Sequence, residues 1–174
     1  TAYVGADNIE VGRNAGNIIV SNVQDALSVI EIRGLAGSSP AEERSLGFHQ
    51  ILDKFPKIKF VGTIEGDWEK ESITESLREL LSRTGPVDYV FAHNDRMARE
   101  AWEVARNLGM EDKIKIIGVD GLNGPNGGIQ LVKDGVLNAT ILYPTGGAEA
   151  IKIALKILNA EVVPTNNILS TTVI

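Results

Sequence analysis

The sequence predicts a three-layer α/β domain, with a parallel sheet between two layers of helices, and three observations carry that reading. Short apolar runs rich in β-branched residues alternate with amphipathic segments of helical period along the whole chain. Two such runs, Tyr89-Val-Phe-Ala and Ile114-Lys-Ile-Ile-Gly-Val, flank a helix whose apolar face is Met97, Ala98, Ala101, Val104, Ala105 and Leu108. A strand, helix, strand crossover of this length forces its two strands to be parallel. Finally, 174 residues of which 43% are apolar, at a mean hydropathy near zero, suffice for one globular domain with a sizeable core.

Each element has its own local cause. Asp7 or Asn8 can cap a first helix with Val11, Ala15, Ile18, Ile19 and Val23 on one face, after an extended lead-in at Tyr3-Val4. Ser28-Val-Ile-Glu-Ile-Arg reads as a strand and runs into Gly34-Leu-Ala-Gly37. Ser39-Pro-Ala-Glu42 has the form of a capping box with proline at the first helical position. The helix it opens carries Arg44 in its early turns, is expected to turn Leu46, Phe48, Ile51, Leu52 and Phe55 inward, and stops at or before Pro56.

Ile58 to Ile64 is the next strand, followed by Glu65-Gly-Asp-Trp68 in a loop and a helix with Ile73, Leu77, Leu80 and Leu81 on one face. In the central unit Asn94 or Asp95 is the N-cap and Gly109 the stop signal. A Gly/Asn/Pro turn from Leu122 to Gly128 leads to a short helix, Ile129 to Asp134, closed by Gly135. Asn138 to Tyr143 is the fifth strand of the series, broken by Pro144-Thr-Gly-Gly. Ala148 to Leu158 is helical and apolar around most of its circumference, apart from Glu149, Lys152 and Lys156, and Asn167 to Ile174 is extended. Five β-α units of this kind fit most simply a flavodoxin-like sheet of order 2-1-3-4-5.

Composition narrows the function. The net charge is −6 with both signs interleaved, so there is no basic stripe for nucleic acid, and zero cysteines exclude disulfides and thiolate metal sites. There is no P-loop, no G-x-G-x-x-G after the first strand, no nucleophile elbow and no histidine pair at metal spacing, so no cofactor or metal is expected. No apolar run reaches membrane-spanning length. Thr1-Ala-Tyr-Val-Gly-Ala reads like an element already under way, which suggests part of something longer.

Parallel strands deliver their carboxyl ends to one rim, the edge at which open α/β sheets bind ligands. That rim collects Gly34 to Gly37 and Arg44, then Asp67 and Trp68, Asn94, Asp120 and Tyr143. An arginine, an asparagine and an aspartate offer fixed donors and acceptors for hydroxyls, and an indole offers a flat apolar face for the C–H side of a sugar ring. Each residue also has an ordinary structural reading. Asn94 or Asp95 is a helix cap, Asp120-Gly121 a turn, Arg44 a solvated charge, Trp68 a hydrophobe capping the core, and Tyr143 strand filling. His93 and His49 read as ordinary polar positions. What favours a site is the coincidence of the five on one edge.

Four runs carry a family resemblance: Tyr3-Val-Gly-Ala-Asp-Asn8 with Gly12 and Gly16, Gly34-Leu-Ala-Gly-Ser-Ser-Pro-Ala-Glu-Glu-Arg44 with Gly47-Phe48, Val90-Phe-Ala-His-Asn-Asp-Arg-Met97, and Ile117-Gly-Val-Asp-Gly121. Together, in this order and spacing, they resemble the type I periplasmic sugar-binding proteins, the ribose binders among them. Leu142-Tyr-Pro-Thr-Gly-Gly147 further resembles the extracytoplasmic sensor domains of Bacteroides-type hybrid two-component systems.

The resemblance implies a two-lobed protein that closes on a carbohydrate. Residues 1–145 would be its second lobe, 146–163 a helix crossing back to a first lobe that this chain lacks, and 164–174 a returning strand. It implies ligand contacts by Arg44, Trp68, Asn94 and Asp120, with Tyr143 standing where ribose binders place a glutamine and Trp68 where they place a phenylalanine. A sugar other than ribose follows. It also implies a periplasmic location, within an inner-membrane sensor or an uptake system. The partners implied are a histidine kinase module or a transporter, and the apolar helix adds a possible homodimer. The effector domain of a LacI-type regulator is the nearest alternative, and a flavodoxin-like enzyme is a more distant one.

Overall fold

A computed structural model describes residues 1–174, the Lys70 side chain excepted. Five parallel strands, β2 (Leu27–Leu35), β3 (Ile58–Gly66), β4 (Tyr89–Ala92), β5 (Lys115–Asp120) and β6 (Ala139–Leu142), lie side by side after a short β1 (Tyr3–Ala6). Their spatial order is β3-β2-β4-β5-β6, which is the expected 2-1-3-4-5 order counted from β2.

The C-terminal stretch does not remain one extended strand. It splits into β7 (Asn166–Leu169), parallel to β1 in a separate two-stranded sheet, and β8 (Thr172–Val173), antiparallel to β6 at the edge of the main sheet. Reciprocal backbone hydrogen bonds between Thr140 and Ile174, 3.0 and 2.9 Å, hold that last turn of chain on the domain.

Central parallel strands are covered on both faces, so their alternation divides residues between two apolar layers rather than between core and water. Ile30, Ile32, Val90, Ala92 and Ile116 face α3 (Thr74–Thr84), α4 (Asp95–Asn107) and α5 (Gly128–Lys133). Val29, Tyr89, Phe91, Ile117, Val119 and Ile141 face α1 (Asn8–Val20) and α2 (Ser39–Leu52). Met97 and Val104 of α4 are fully buried, each stabilising the fold by about 1.5–3 kcal/mol relative to exposure.

The approach of α2 to α1 decides where Arg44 goes. A Cβ on Gly12 would stand 2.0 Å from the Arg44 carbonyl oxygen, and one on Gly47 would stand 1.9 Å from that of Ile9. The two helices therefore meet backbone to backbone, a contact open only to glycine. With the crossing so tight, α2 buries Phe48 and Leu52 but leaves Leu46 51% exposed, and Phe55, which lies beyond the end of the helix, is 37% exposed, against the expectation that all turn inward. The capping box also fails to form: the N-cap is Ser38, whose Oγ donates to the Leu35 carbonyl, while Glu42 pairs with Arg33 at 2.7 Å. Asp7 is the cap of α1, which frees Asn8 for other work.

The apolar helix α6 (Gly147–Leu158) is regular, yet none of its residues is buried. It does not fold back on its own domain. A left-handed turn at Gly146 (φ 70°) starts it against Val4 and Leu169 of the β1–β7 pair, away from the main sheet.

Candidate functional site

Arg44 is only 6% exposed. Its Nε donates to Asn8 Oδ1 (3.1 Å) and its Nη1 to the backbone carbonyl of His93. The guanidinium carbon lies 5.7 Å from the centre of the Trp68 ring and 5.1 Å from that of Tyr143, so the cation is held between two aromatic faces. It is not a solvated surface charge. Burial pulls its pKa down, and the carboxylate of Asp120 works against that pull.

Trp68 sits in the loop after β3, at φ 78°. A Cβ on Gly34 would lie 2.1 Å from its Cη2, so the indole rests flat on the bare backbone of Gly34. Asn94 is the N-cap of α4, with Oδ1 accepting from Met97 N at 2.9 Å, and its Nδ2 donates to the Trp68 carbonyl at 2.8 Å. The cap thus orients an amide that also anchors Trp68 and retains capacity for another partner.

Asp120 ends β5 in a strained backbone conformation, φ 121°. Its carboxyl group is raised to about 6 by burial, with Arg44 and Arg96 pulling the other way. It also lines a cleft of about 600 Å³ together with Asp95, Arg96 and Leu122, a cleft that lies to one side of Arg44, Trp68, Asn94 and Tyr143, which do not line it. Among the described residues, two of the three non-glycine positions with positive φ, Trp68 and Asp120, are therefore at this rim; strain of this kind persists only where the surroundings impose it, and it gathers at working sites. Tyr143 completes the set, its hydroxyl 3.4 Å from the Ala6 carbonyl, beside the β1–β7 pair. Arg44, Trp68 and Tyr143 come together as one stack, Asn94 joins through Trp68, and Asp120 joins through the charge of Arg44.

Two further residues hold this arrangement in ways the sequence did not indicate: Asp95, the alternative cap candidate, is the first residue of α4 and not its cap, and Glu31 reads in the sequence only as part of a strand. Asp95 is buried, with Oδ1 accepting from Thr140 Oγ1 (2.7 Å) and Oδ2 from Gly121 N (2.8 Å). Burial raises it to about 7. It fixes the turn directly after Asp120, and the one hint was a threonine inside the apolar run of β6. Glu31, a charge in the middle of an apolar strand, is buried as well and binds both histidines. A carboxylate in such a strand signals a buried partner. Among the described residues no cluster is suited to a metal ion.

A family model described as periplasmic binding protein domain matches residues 1–161. Ribose import binding protein RbsB of Salmonella typhimurium is 34% identical over 162 residues, covering 92% of this chain and 53% of that protein. The D-allose-binding periplasmic protein of Escherichia coli is 26% identical over 141 residues, covering 80% and 44%. The chain thus spans about half the length of the curated relatives it matches. Among solved structures, the fructose-binding periplasmic domain of hybrid two-component system BT1754 superposes with a TM-score of 0.95 at 39% identity, covering all of this chain and 58% of that one. A solute-binding protein of Actinobacillus succinogenes with bound D-allose gives 0.91 at 28% identity, covering 99% and 61%. These relatives are binding proteins rather than enzymes. With a matching family model over residues 1–161 and the same lobe architecture, the chain belongs to the periplasmic binding protein domain family.

Proposed function

We propose that this chain is the second lobe of a two-lobed carbohydrate receptor, which grips a sugar by hinge closure and passes its occupancy to a signalling module. The observation that carries this reading is the rim itself. A buried guanidinium lies between the Trp68 and Tyr143 rings, with Asn94 and Asp120 on the same edge. Rings supply faces for sugar C–H groups, while Arg44, Asn94 and Asp120 supply directed donors and acceptors for hydroxyls. Indole and phenol at two of these positions suit a sugar other than ribose.

The remaining segments fit the same reading. The β1–β7 pair stands apart from the main sheet and α6 exposes Ile151 (64%), Leu155 (56%) and Leu158 (80%), as a helix crossing to a first lobe would. Residues 1–145 are then the second lobe, 146–163 the crossing helix and 164–174 the return. The 39% identity to a hybrid two-component sensor domain favours a periplasmic sensor coupled to a histidine kinase over an uptake protein coupled to a transporter.

Calorimetric titration of the full-length protein with a panel of mono- and oligosaccharides tests this. At least one sugar binds, and Trp68→Ala weakens it by about 1 kcal/mol or more through lost stacking. A wild-type protein that binds no saccharide overturns the reading.

A further inference from the structure

Glu31 stands in the middle of β2 with no exposure to solvent. Its Oε2 lies 3.2 Å from Ser45 Oγ and 3.3 Å from His49 Nε2, and its Oε1 lies 3.0 Å from His93 Nε2. The chain has two histidines, and this one carboxylate engages both. Burial pushes Glu31 up, but the hydrogen bonds from His49, His93 and Ser45 prevail and hold it at about 2. A well-packed apolar side chain would serve the core at least as well as a buried ion held by partners. The arrangement is better explained by what it orients.

His93 is equally buried, and its other ring nitrogen, Nδ1, accepts from the backbone N–H of Gly34 at 3.4 Å. An acceptor at Nδ1 places the proton on Nε2, where it points at Glu31. Gly34 is the surface on which the Trp68 indole lies, and the backbone carbonyl of His93 is the acceptor for Arg44. The chain of contacts thus runs from a buried carboxylate, through one imidazole, to the two residues that stack at the rim.

We propose that Glu31 is a positioning residue for the carbohydrate site: by fixing the tautomer and angle of His93 it fixes the Gly34 backbone beneath Trp68 and the carbonyl that holds Arg44. Its use in sugar binding rests on the function proposed above, whereas its hold on the indole does not. The consequence is that affinity for sugar depends on a residue that touches no sugar.

Nuclear magnetic resonance of the chain labelled at histidine and tryptophan tests this, since there are two indole N–H signals, from Trp68 and Trp102. In the wild type His93 carries its proton on Nε2. Glu31→Leu shifts the Trp68 signal and leaves that of Trp102 in place, whereas Glu31→Gln, which keeps an acceptor for His93, restores it. Glu31→Leu combined with His93→Leu removes both buried polar groups, so it recovers stability while the Trp68 signal stays displaced.

In the full-length protein this double variant binds sugar about tenfold more weakly, the scale set by outer partners that orient a contacting group. Ile19→Val, a methyl-sized cavity in the same apolar layer, leaves the indole signal and affinity unchanged. A His93 proton on Nδ1, or a stable double variant with wild-type indole signals and affinity, overturns the proposal. If the wild-type protein binds no sugar the functional reading falls, and the indole shift still decides whether Glu31 positions the ring.

Discussion

Asp120→Asn is expected to strengthen the fold and weaken the proposed ligand site at once. Burial raises the Asp120 carboxyl from an ordinary 3.8 to about 6, net of the attraction of Arg44 and Arg96. An acid whose pKa is higher folded than unfolded binds its proton more tightly in the folded state. Its contribution to stability is therefore greatest below about pH 4, falls between about pH 4 and about pH 6, and stays at its lower value above that. The interval from 3.8 to about 6 corresponds to about 3 kcal/mol at most. Asparagine mimics the protonated form and, like aspartate, is among the residues found more often at positive φ, so the 121° found here adds no penalty to the exchange. Asp95, raised to about 7 mainly by burial and in part by the Asp120 charge, is eased in the same direction.

The variant is therefore expected to exceed the wild type by about 1–3 kcal/mol at about pH 8 and to match it at about pH 4. Sugar affinity of the full-length protein falls by about tenfold to a hundredfold as a charge-assisted hydrogen bond becomes a neutral one. Wild-type affinity is likewise expected to decline as the pH drops through about 6, where Asp120 takes up its proton. Denaturant melts across this pH range, with calorimetric titration, measure both arms. A variant less stable than wild type at high pH, or a stability gap that does not close on acidification, refutes the reasoning.

Gly47→Ala drives a Cβ to 1.9 Å from the Ile9 carbonyl oxygen, so α2 must back away from α1 at a cost of about 1–3 kcal/mol; an unchanged melting temperature would contradict the backbone contact. Gly34→Ala places a Cβ 2.1 Å from the Trp68 ring and should tip the indole off its floor, moving tryptophan fluorescence toward that of an exposed ring; unchanged emission counts against the stacked geometry. Ile151→Glu and Leu155→Glu, at positions 64% and 56% exposed, should alter the stability of this chain by no more than about 0.5 kcal/mol. The same pair should reduce any self-association seen by light scattering, and destabilise the full-length protein in which a first lobe would cover α6. A loss well beyond that limit in the chain alone would show that α6 packs on its own domain.

The sequence by itself determined the layered class, the strand order and the rim, because these follow from local period and from the handedness of the crossover. The apolar runs at Tyr89 and Ile114 with an amphipathic helix between them leave one arrangement, and that arrangement puts Asn94 and Asp120 at the same edge. Tertiary structure decided what no local pattern carries. Arg44 reads as a solvated charge until the glycine crossing at Gly12 and Gly47 drops α2 low enough to bury its guanidinium between Trp68 and Tyr143. The same crossing turns Leu46 outward, and the cap is Ser38 rather than Ser39, its hydroxyl bonded to the Leu35 carbonyl. Glu31 and Asp95 acquire their roles from residues 14 and 62, or 26 and 45, positions away in the chain. A buried charge is tolerated only where the fold brings it partners, and which partners arrive is settled by which strands and helices become neighbours in space.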